Sequence, residues 1–87
     1  MLLISSRNFD KEVEKLTQKL KIILKDKLAL FKVEPYNKIF NNHKLKGSLK
    51  TYRSINITGD YRVIYEQLNH ETVRLIRIGS HSELYGK

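Results

Sequence analysis

The sequence predicts an α+β domain with the element order β-α-α-β-β-β, in which an antiparallel sheet of about four strands packs against two N-terminal helices. Two observations lead to this prediction. Apolar residues recur at helical spacing in the first third of the chain, and they alternate with polar residues near its end. The 87 residues suit one domain, 1–87. Helices on one side of such a sheet would leave the other side exposed to solvent.

The N-terminal part predicts one strand and two helices. Leu2–Ser5 is a short apolar run, and Ser6 after it is suited to cap a helix. An apolar helical stripe follows at Phe9, Val13, Leu16 and Leu20. A second apolar stretch stops near 33–34, because the residue before Pro35 is disfavoured in a helix. One continuous helix would span roughly 38 Å, too long for a chain whose radius of gyration should be ~12 Å, so we expect a break near 17–19.

The C-terminal part predicts three strands joined by two short turns. The strands are Tyr52–Thr58, Tyr61–Leu68 and Thr72–Ile78, with turns at 58–60 and 69–71. Connections this short join antiparallel neighbours, so these strands form a meander. The N-terminal strand would be the fourth strand of the sheet.

Composition narrows the classes of function. The chain has 17 Lys and Arg against 9 Asp and Glu, a net charge of +8. Residues 36–62 alone carry six basic side chains and one acidic one. Such a surface attracts nucleic acid or an acidic protein, although a Lys-rich surface can also serve solubility alone.

The absence of cysteine excludes disulfides, thiolate zinc sites and a cysteine nucleophile. No apolar run approaches the ~18 residues of a membrane span, and the N-terminus lacks the basic region of a signal peptide, so we expect a cytoplasmic protein.

The predicted solvent-exposed face of the sheet suggests chemistry on RNA. It would carry Tyr52, Ser54 and Asn56 beside the basic loop 43–47, while Arg53 and Ile55 would face the other side. A helical turn after the last strand would place His81 and Tyr85 on one side, since they are four residues apart. Cleavage of RNA without a metal requires the 2′-hydroxyl to lose a proton, the 5′-oxygen to gain one, and cations to stabilise the phosphorane. Histidine serves either proton transfer.

Each of these residues also has a purely structural interpretation. His81 could be a solvated residue near the C-terminus, and His43 could belong to an ordinary loop. Arg62 could pair with Asp60 or Glu66, and Tyr85 could anchor the C-terminus. The three histidines stand at spacings that fit no metal site, so we expect no metal and no cofactor.

Three sequence blocks resemble, in order, the signatures of the RelE/YafQ toxin superfamily of type II toxin–antitoxin systems. The blocks are HKLKG at 43–47, GDYRVIY at 59–65 and IGSHSELY at 78–85. The first and third are similar to those of the YafQ branch, and the resemblance covers nearly the whole chain. It implies the RelE-like microbial RNase fold and ribosome-dependent, metal-independent cleavage of mRNA. It also implies neutralisation by an acidic antitoxin, which would itself carry the DNA-binding domain, so we expect no direct DNA binding.

The resemblance also implies roles for individual residues. The implied catalytic residues are His81, His43, Asp60, Arg62 and Tyr85. The residues expected to bind RNA are Lys44, Lys46, Lys50, Arg53 and Asn56. Two positions depart from the YafQ pattern: Asn56 stands in place of a histidine, and Tyr61 stands in place of a tryptophan.

Two alternatives remain open at this point. The ParE branch shares the scaffold and poisons DNA gyrase without catalysis, but it lacks catalytic residues such as His43, Asp60 and His81. Alternatively, Asn56 could mark a catalytically impaired domain that only binds RNA or an antitoxin.

Overall fold

The computed structural model describes residues 1–47 and 51–86, which contain five strands and three α-helices. In chain order these elements are β1 (Leu2–Ser5), α1 (Arg7–Glu14), α2 (Gln18–Val33), β2 (His43–Lys44), β3 (Tyr52–Asn56), β4 (Tyr61–Asn69), β5 (Thr72–Ser80) and α3 (His81–Tyr85). A single 3₁₀ turn at Lys38–Phe40 lies between α2 and β2. The predicted α+β class and the order of the main elements are confirmed.

The sheet has five strands rather than about four, and it is not wholly antiparallel. Its strand order is β1-β5-β4-β3-β2. The additional strand, β2, pairs antiparallel with β3, and His43 lies opposite Ser54. It was missed because two residues are too short to show an alternating pattern. β1 pairs parallel with β5, from Leu2 opposite Thr72 onward, a pairing across the whole chain that no local turn determines.

The two predicted helices are present, with the break between them two residues earlier than expected. The Ser6 hydroxyl accepts the Phe9 N–H at 3.0 Å at the start of α1. The Thr17 hydroxyl accepts the Leu20 N–H at 3.2 Å at the start of α2, so the break lies at 15–17. α2 ends at Val33, as the proline rule predicts. No helix in the described part of the chain is long and apolar enough to cross a membrane.

The core lies between the helices and one face of the sheet. Phe31 of α2 is fully buried and makes edge-to-face contacts with Phe40 at 5.7 Å and Tyr65 at 5.1 Å between ring centroids. Ile55 and Val63 from the central strands are also fully buried in this cluster. Aromatic pairs of this kind stabilise a core beyond the area they bury. Tyr65 is therefore a core residue.

Candidate active site

The face of the sheet opposite the core carries the candidate site, and we call it the α3 face. Side chains alternate along a strand, so Ser54 and Asn56 of β3 point away from the core that Ile55 enters. The Tyr85 hydroxyl of α3 donates to the Ser54 hydroxyl at 2.9 Å, which places α3 on this same face. α1 and α2 therefore cover one side of the sheet, and the candidate site lies on the other.

The start of α3 is fixed by two sets of contacts. The His81 N–H donates to the Asp60 carbonyl oxygen at 3.0 Å, which joins the helix to the β3–β4 turn. Ser80 and Glu83 form a capping box: the Ser80 N–H donates to the Glu83 carboxylate at 2.7 Å, and the Glu83 N–H donates to the Ser80 hydroxyl at 3.2 Å. The predicted helical turn at 81–85 is confirmed.

Gly79 allows α3 to lie close to β5. A methyl group at this position would come within 3.1 Å of the Glu83 carboxylate and 3.3 Å of Leu84. An alanine there would require the Glu83 and Leu84 side chains to shift.

Each of two predicted catalytic histidines neighbours one partner of the Ser54–Tyr85 hydrogen bond. The rings of His81 and Tyr85 are 4.7 Å apart between centroids and meet edge to face at 61°. His43 is exposed and lies directly opposite Ser54 across the β2–β3 pair, so both side chains point to the α3 face. Nδ1 of His43 is 2.8 Å from the Asn41 carbonyl oxygen. Because a carbonyl only accepts, Nδ1 carries the proton and Nε2 is the nitrogen left for proton transfer.

Arg62 and Asn56 add a cation and an amide to the α3 face. They lie opposite each other in the β3–β4 pair, and both are half-buried. One guanidinium nitrogen of Arg62 donates to the carbonyl oxygens of Thr58 at 3.1 Å and Tyr61 at 3.2 Å. A guanidinium has five N–H donors, so others remain for a ligand. The side-chain oxygen of Asn56 is buried and has no hydrogen-bond partner among the described residues.

Asp60 reaches the site through its backbone. Its carbonyl oxygen holds the His81 N–H, as described above, and the residue itself is exposed in the β3–β4 turn. Within residues 1–47 and 51–86, its carboxylate makes no hydrogen bond or ion pair. The alternative pairing of Arg62 with Asp60 or Glu66 is likewise absent from the ion pairs of those residues.

The predicted RNA-binding residues do not share one surface. Arg53 points to the helix-covered side, where its Nε donates to the Asn42 side chain at 2.8 Å and its guanidinium lies 5.4 Å from the Tyr36 ring centre. Lys44 is exposed opposite Arg53 in the β2–β3 pair, and Lys46 is exposed in the loop that follows β2. Lys50 lies outside the described residues.

The α3 face is an open surface and not a pocket. A cavity of about 360 Å³ does exist near it, between α1, α3 and β5. Its lining includes Glu12, Arg77 and Glu83 but none of the predicted catalytic residues. Among the described residues, no cluster of three or more His, Asp or Glu side chains could hold a metal ion. An open face with two histidines suits an extended polymer better than a small enclosed ligand.

Ser54 is the residue of this site that sequence reasoning did not assign a role. It is fully buried, and it lies between Tyr85 and His43. The alternation of β3 placed it on the correct face, but the contact with Tyr85 joins residues 31 positions apart, and no local pattern indicates it.

Comparison with known proteins gives a consistent family assignment. The model of a family described as "Bacterial toxin of type II toxin-antitoxin system, YafQ" matches residues 3–86. The crystal structure of YafQ from E. coli strain BL21(DE3) is 30% identical, with a TM-score of 0.80 and 97% of each chain covered. YafQ in the E. coli DinJ-YafQ toxin–antitoxin complex is 31% identical, with a TM-score of 0.77, covering 97% of this chain and 96% of that one. No match was found among curated proteins.

A toxin with lower sequence identity has a similar fold. The YoeB/ParE toxin from Agrobacterium tumefaciens is 20% identical, with a TM-score of 0.76, covering 93% of this chain and 99% of that one. At that identity the likeness concerns the fold alone. The expected RelE-like fold is confirmed, and the family match spans nearly all the elements described above. The chain therefore belongs to the YafQ family of bacterial type II toxin–antitoxin toxins.

Proposed function

We propose that this toxin is a metal-independent endoribonuclease that cleaves mRNA on the ribosome in the cytoplasm and thereby inhibits translation. The observation that carries the proposal is a series of neighbours on an open face of the sheet: the His81 ring contacts Tyr85, Tyr85 bonds Ser54, and Ser54 pairs with His43 across the strands. Two imidazoles on one exposed surface provide the proton donor and acceptor that RNA cleavage requires. A gyrase poison of the ParE kind would have no need of this arrangement.

The reaction uses the RNA's own 2′-hydroxyl as the nucleophile. One imidazole removes the 2′-hydroxyl proton while the oxygen attacks the adjacent phosphorus. The bond from phosphorus to the 5′-oxygen breaks, and the other imidazole, in its protonated form, gives that oxygen a proton. The products are a 2′,3′-cyclic phosphate and a free 5′-hydroxyl. Arg62 stabilises the charge that builds up on the phosphorane, and the Tyr85 ring orients the nucleotide.

The basic side chains have a separate task in this proposal. Lys44, Lys46, Lys50 and Arg53 would bind the backbone of mRNA or ribosomal RNA, and Asn56 would hydrogen-bond a phosphate or sugar. Contacts of this kind depend on charge and not on sequence, so they position the RNA without selecting a codon.

We also propose that an acidic antitoxin neutralises this chain. The support is the net charge of +8 together with the similarity to YafQ in the E. coli DinJ-YafQ toxin–antitoxin complex. An acidic segment that folds on binding suits a basic, open surface. Covering the α3 face would prevent RNA from reaching His81 and His43.

Replacement of His81 tests the proposed reaction. We expect His81→Ala to abolish toxicity when induced in cells and to remove mRNA cuts detected by primer extension. The antitoxin should still bind, because the substitution removes only an exposed ring. His70→Ala is the matched control, since His70 is an exposed histidine in the β4–β5 turn. It should remain toxic.

Two results would contradict the proposal. An equally toxic His81→Ala variant would remove His81 from the mechanism. If the native chain stopped DNA supercoiling and left mRNA intact, the chain would be a gyrase poison and not a nuclease.

A further inference from the structure

We propose that Ser54 is a positioning residue whose hydroxyl holds that of Tyr85 and so fixes α3, with His81, over the α3 face. The inference rests on the proposed function, because it concerns the geometry of the same reaction. The two side chains belong to different elements: Ser54 lies in the middle of β3, and Tyr85 lies in the last turn of α3.

The Ser54–Tyr85 contact is partly shielded from water. Ser54 is fully buried, and it is the one buried polar side chain in the described part of the chain. Its Oγ accepts the Tyr85 hydroxyl at 2.9 Å. A hydrogen bond between two hydroxyls at a buried position is stronger than one exposed to solvent, and losing either partner leaves the other unsatisfied.

The Ser54–Tyr85 hydrogen bond joins the far end of α3 to β3, in addition to the packing of Leu84 against β5. A helix of five residues does not hold together without tertiary contacts. The Asp60 carbonyl and the capping box hold its first turn, at His81, Ser80 and Glu83. Tyr85 is one turn further on, and its hydroxyl reaches across to β3. Breaking that bond would free the Tyr85 ring, whose edge-to-face contact with His81 would then be lost.

The same serine also lies next to the second histidine. His43 is the direct cross-strand neighbour of Ser54, and such neighbours have Cβ atoms about 4.5–5.5 Å apart. Ser54 therefore sets the position of α3 relative to the strand that carries His43. In this role the Tyr85 hydroxyl holds α3 in place, and we assign it no proton transfer.

Removal of each hydroxyl tests the role of this pair. The variants are Tyr85→Phe, Ser54→Ala and the double variant, assayed for mRNA cleavage on purified programmed ribosomes. We expect each single substitution to lower kcat about tenfold, because freeing the Tyr85 ring misplaces both His81 and the nucleotide that this ring orients. The double variant should be no slower than either single one, since both remove the same bond. The shape of the pH–rate profile should not change.

Tyr36→Phe is the matched control, because it removes an exposed phenol hydroxyl on the helix-covered side and keeps the ring beside Arg53. It should cleave at the native rate. Losses that multiply in the double variant would contradict the inference, as would native rates in Tyr85→Phe. Loss of one limb of the pH profile in Tyr85→Phe would also overturn it, by showing that the hydroxyl transfers a proton.

Hydrogen exchange separates this inference from the proposed function. The His81 amide donates to the Asp60 carbonyl, so its exchange rate reports the docking of α3 without any RNA present. We expect faster exchange in Tyr85→Phe and Ser54→Ala than in the native chain. Unchanged exchange would refute the positioning role. A native chain that cleaves no mRNA would refute only the proposed function.

Discussion

Ser54 and Asn56 are two positions apart on β3, face the same way and have different hydrogen bonding. The Ser54 hydroxyl is satisfied by Tyr85, whereas the Asn56 side-chain oxygen is buried without a partner in the described part of the chain. A buried acceptor without a partner costs stability. Asn56 also stands where the YafQ pattern has a histidine, so this chain departs from the pattern at a position that folding alone does not favour.

Asn56→Ala should therefore cost little stability. We expect the free energy of unfolding, measured with urea, to change by less than about 1 kcal/mol, because the oxygen has no hydrogen bond to lose. Cleavage should slow, since the amide is proposed to contact RNA. Asn42→Ala is the comparison: Asn42 hydrogen-bonds Pro35, Tyr65 and Arg53, so its loss should cost about 1–3 kcal/mol. A larger loss for Asn56→Ala than for Asn42→Ala would contradict this explanation.

Strand alternation predicted the direction of these side chains but not their partners. It correctly placed Arg53 with Ile55 on one side and Ser54 with Asn56 on the other. That Arg53 binds RNA stays a prediction, and the structure adds that its guanidinium already contacts Asn42 and Tyr36. A period-two pattern determines the face of the sheet to which a side chain points, whereas its hydrogen-bond partner is a residue distant in the chain.

Among the helices and strands, those with a clear local sequence pattern were predicted, and those whose pattern is short or absent were not. α1 and α2 have apolar stripes and hydroxyl caps, and both helices were predicted. β2 has two residues, and the pairing of β1 with β5 depends on where the helices return the chain. The sheet was therefore predicted with one strand too few and without its parallel pair.

The capping box makes the stability of α3 depend on pH. The backbone N–H of Ser80 and then its hydroxyl lower the pKa of the Glu83 carboxyl from its ordinary 4.5, and the nearby Arg77 acts in the same direction. A carboxyl with a lowered pKa in the folded state stabilises that state above its unfolded pKa. This contribution is lost as the pH falls below 4.5 and through the lowered value. We expect the helical chemical shifts of residues 81–85, followed by NMR, to decrease over that range.

Glu83→Gln is the control for this effect. Glutamine can accept the same Ser80 N–H at this position of a capping box, but it does not titrate. Its α3 shifts should stay constant at acidic pH while those of the native chain change. Equal changes in both proteins would show that another group controls α3.

For the whole molecule, the fold divides the sheet into a helix-covered side and an open side. The helices and the core cover one side of the sheet, within a chain whose radius of gyration is 12.0 Å. The other side carries His43, Ser54 and α3. Of the basic residues at 36–62, Arg62 lies on that side, whereas Arg53 points to the helix-covered side. The three sequence blocks indicated the family. They are far apart in the chain, but each contributes a residue that forms the α3 face or holds α3 on it.

The most direct test of this account is cleavage of an mRNA that carries a single 2′-deoxyribose at the position cut in the normal message. Purified toxin and programmed ribosomes are the only components needed, and the RNA ends are mapped by primer extension. We expect the normal message to be cut to a 2′,3′-cyclic phosphate end and the deoxy message to stay uncut at that position, since it lacks the nucleophile. Equal cleavage of both messages would show that water attacks the phosphorus, and it would contradict a mechanism in which His81 and His43 act on the 2′-hydroxyl.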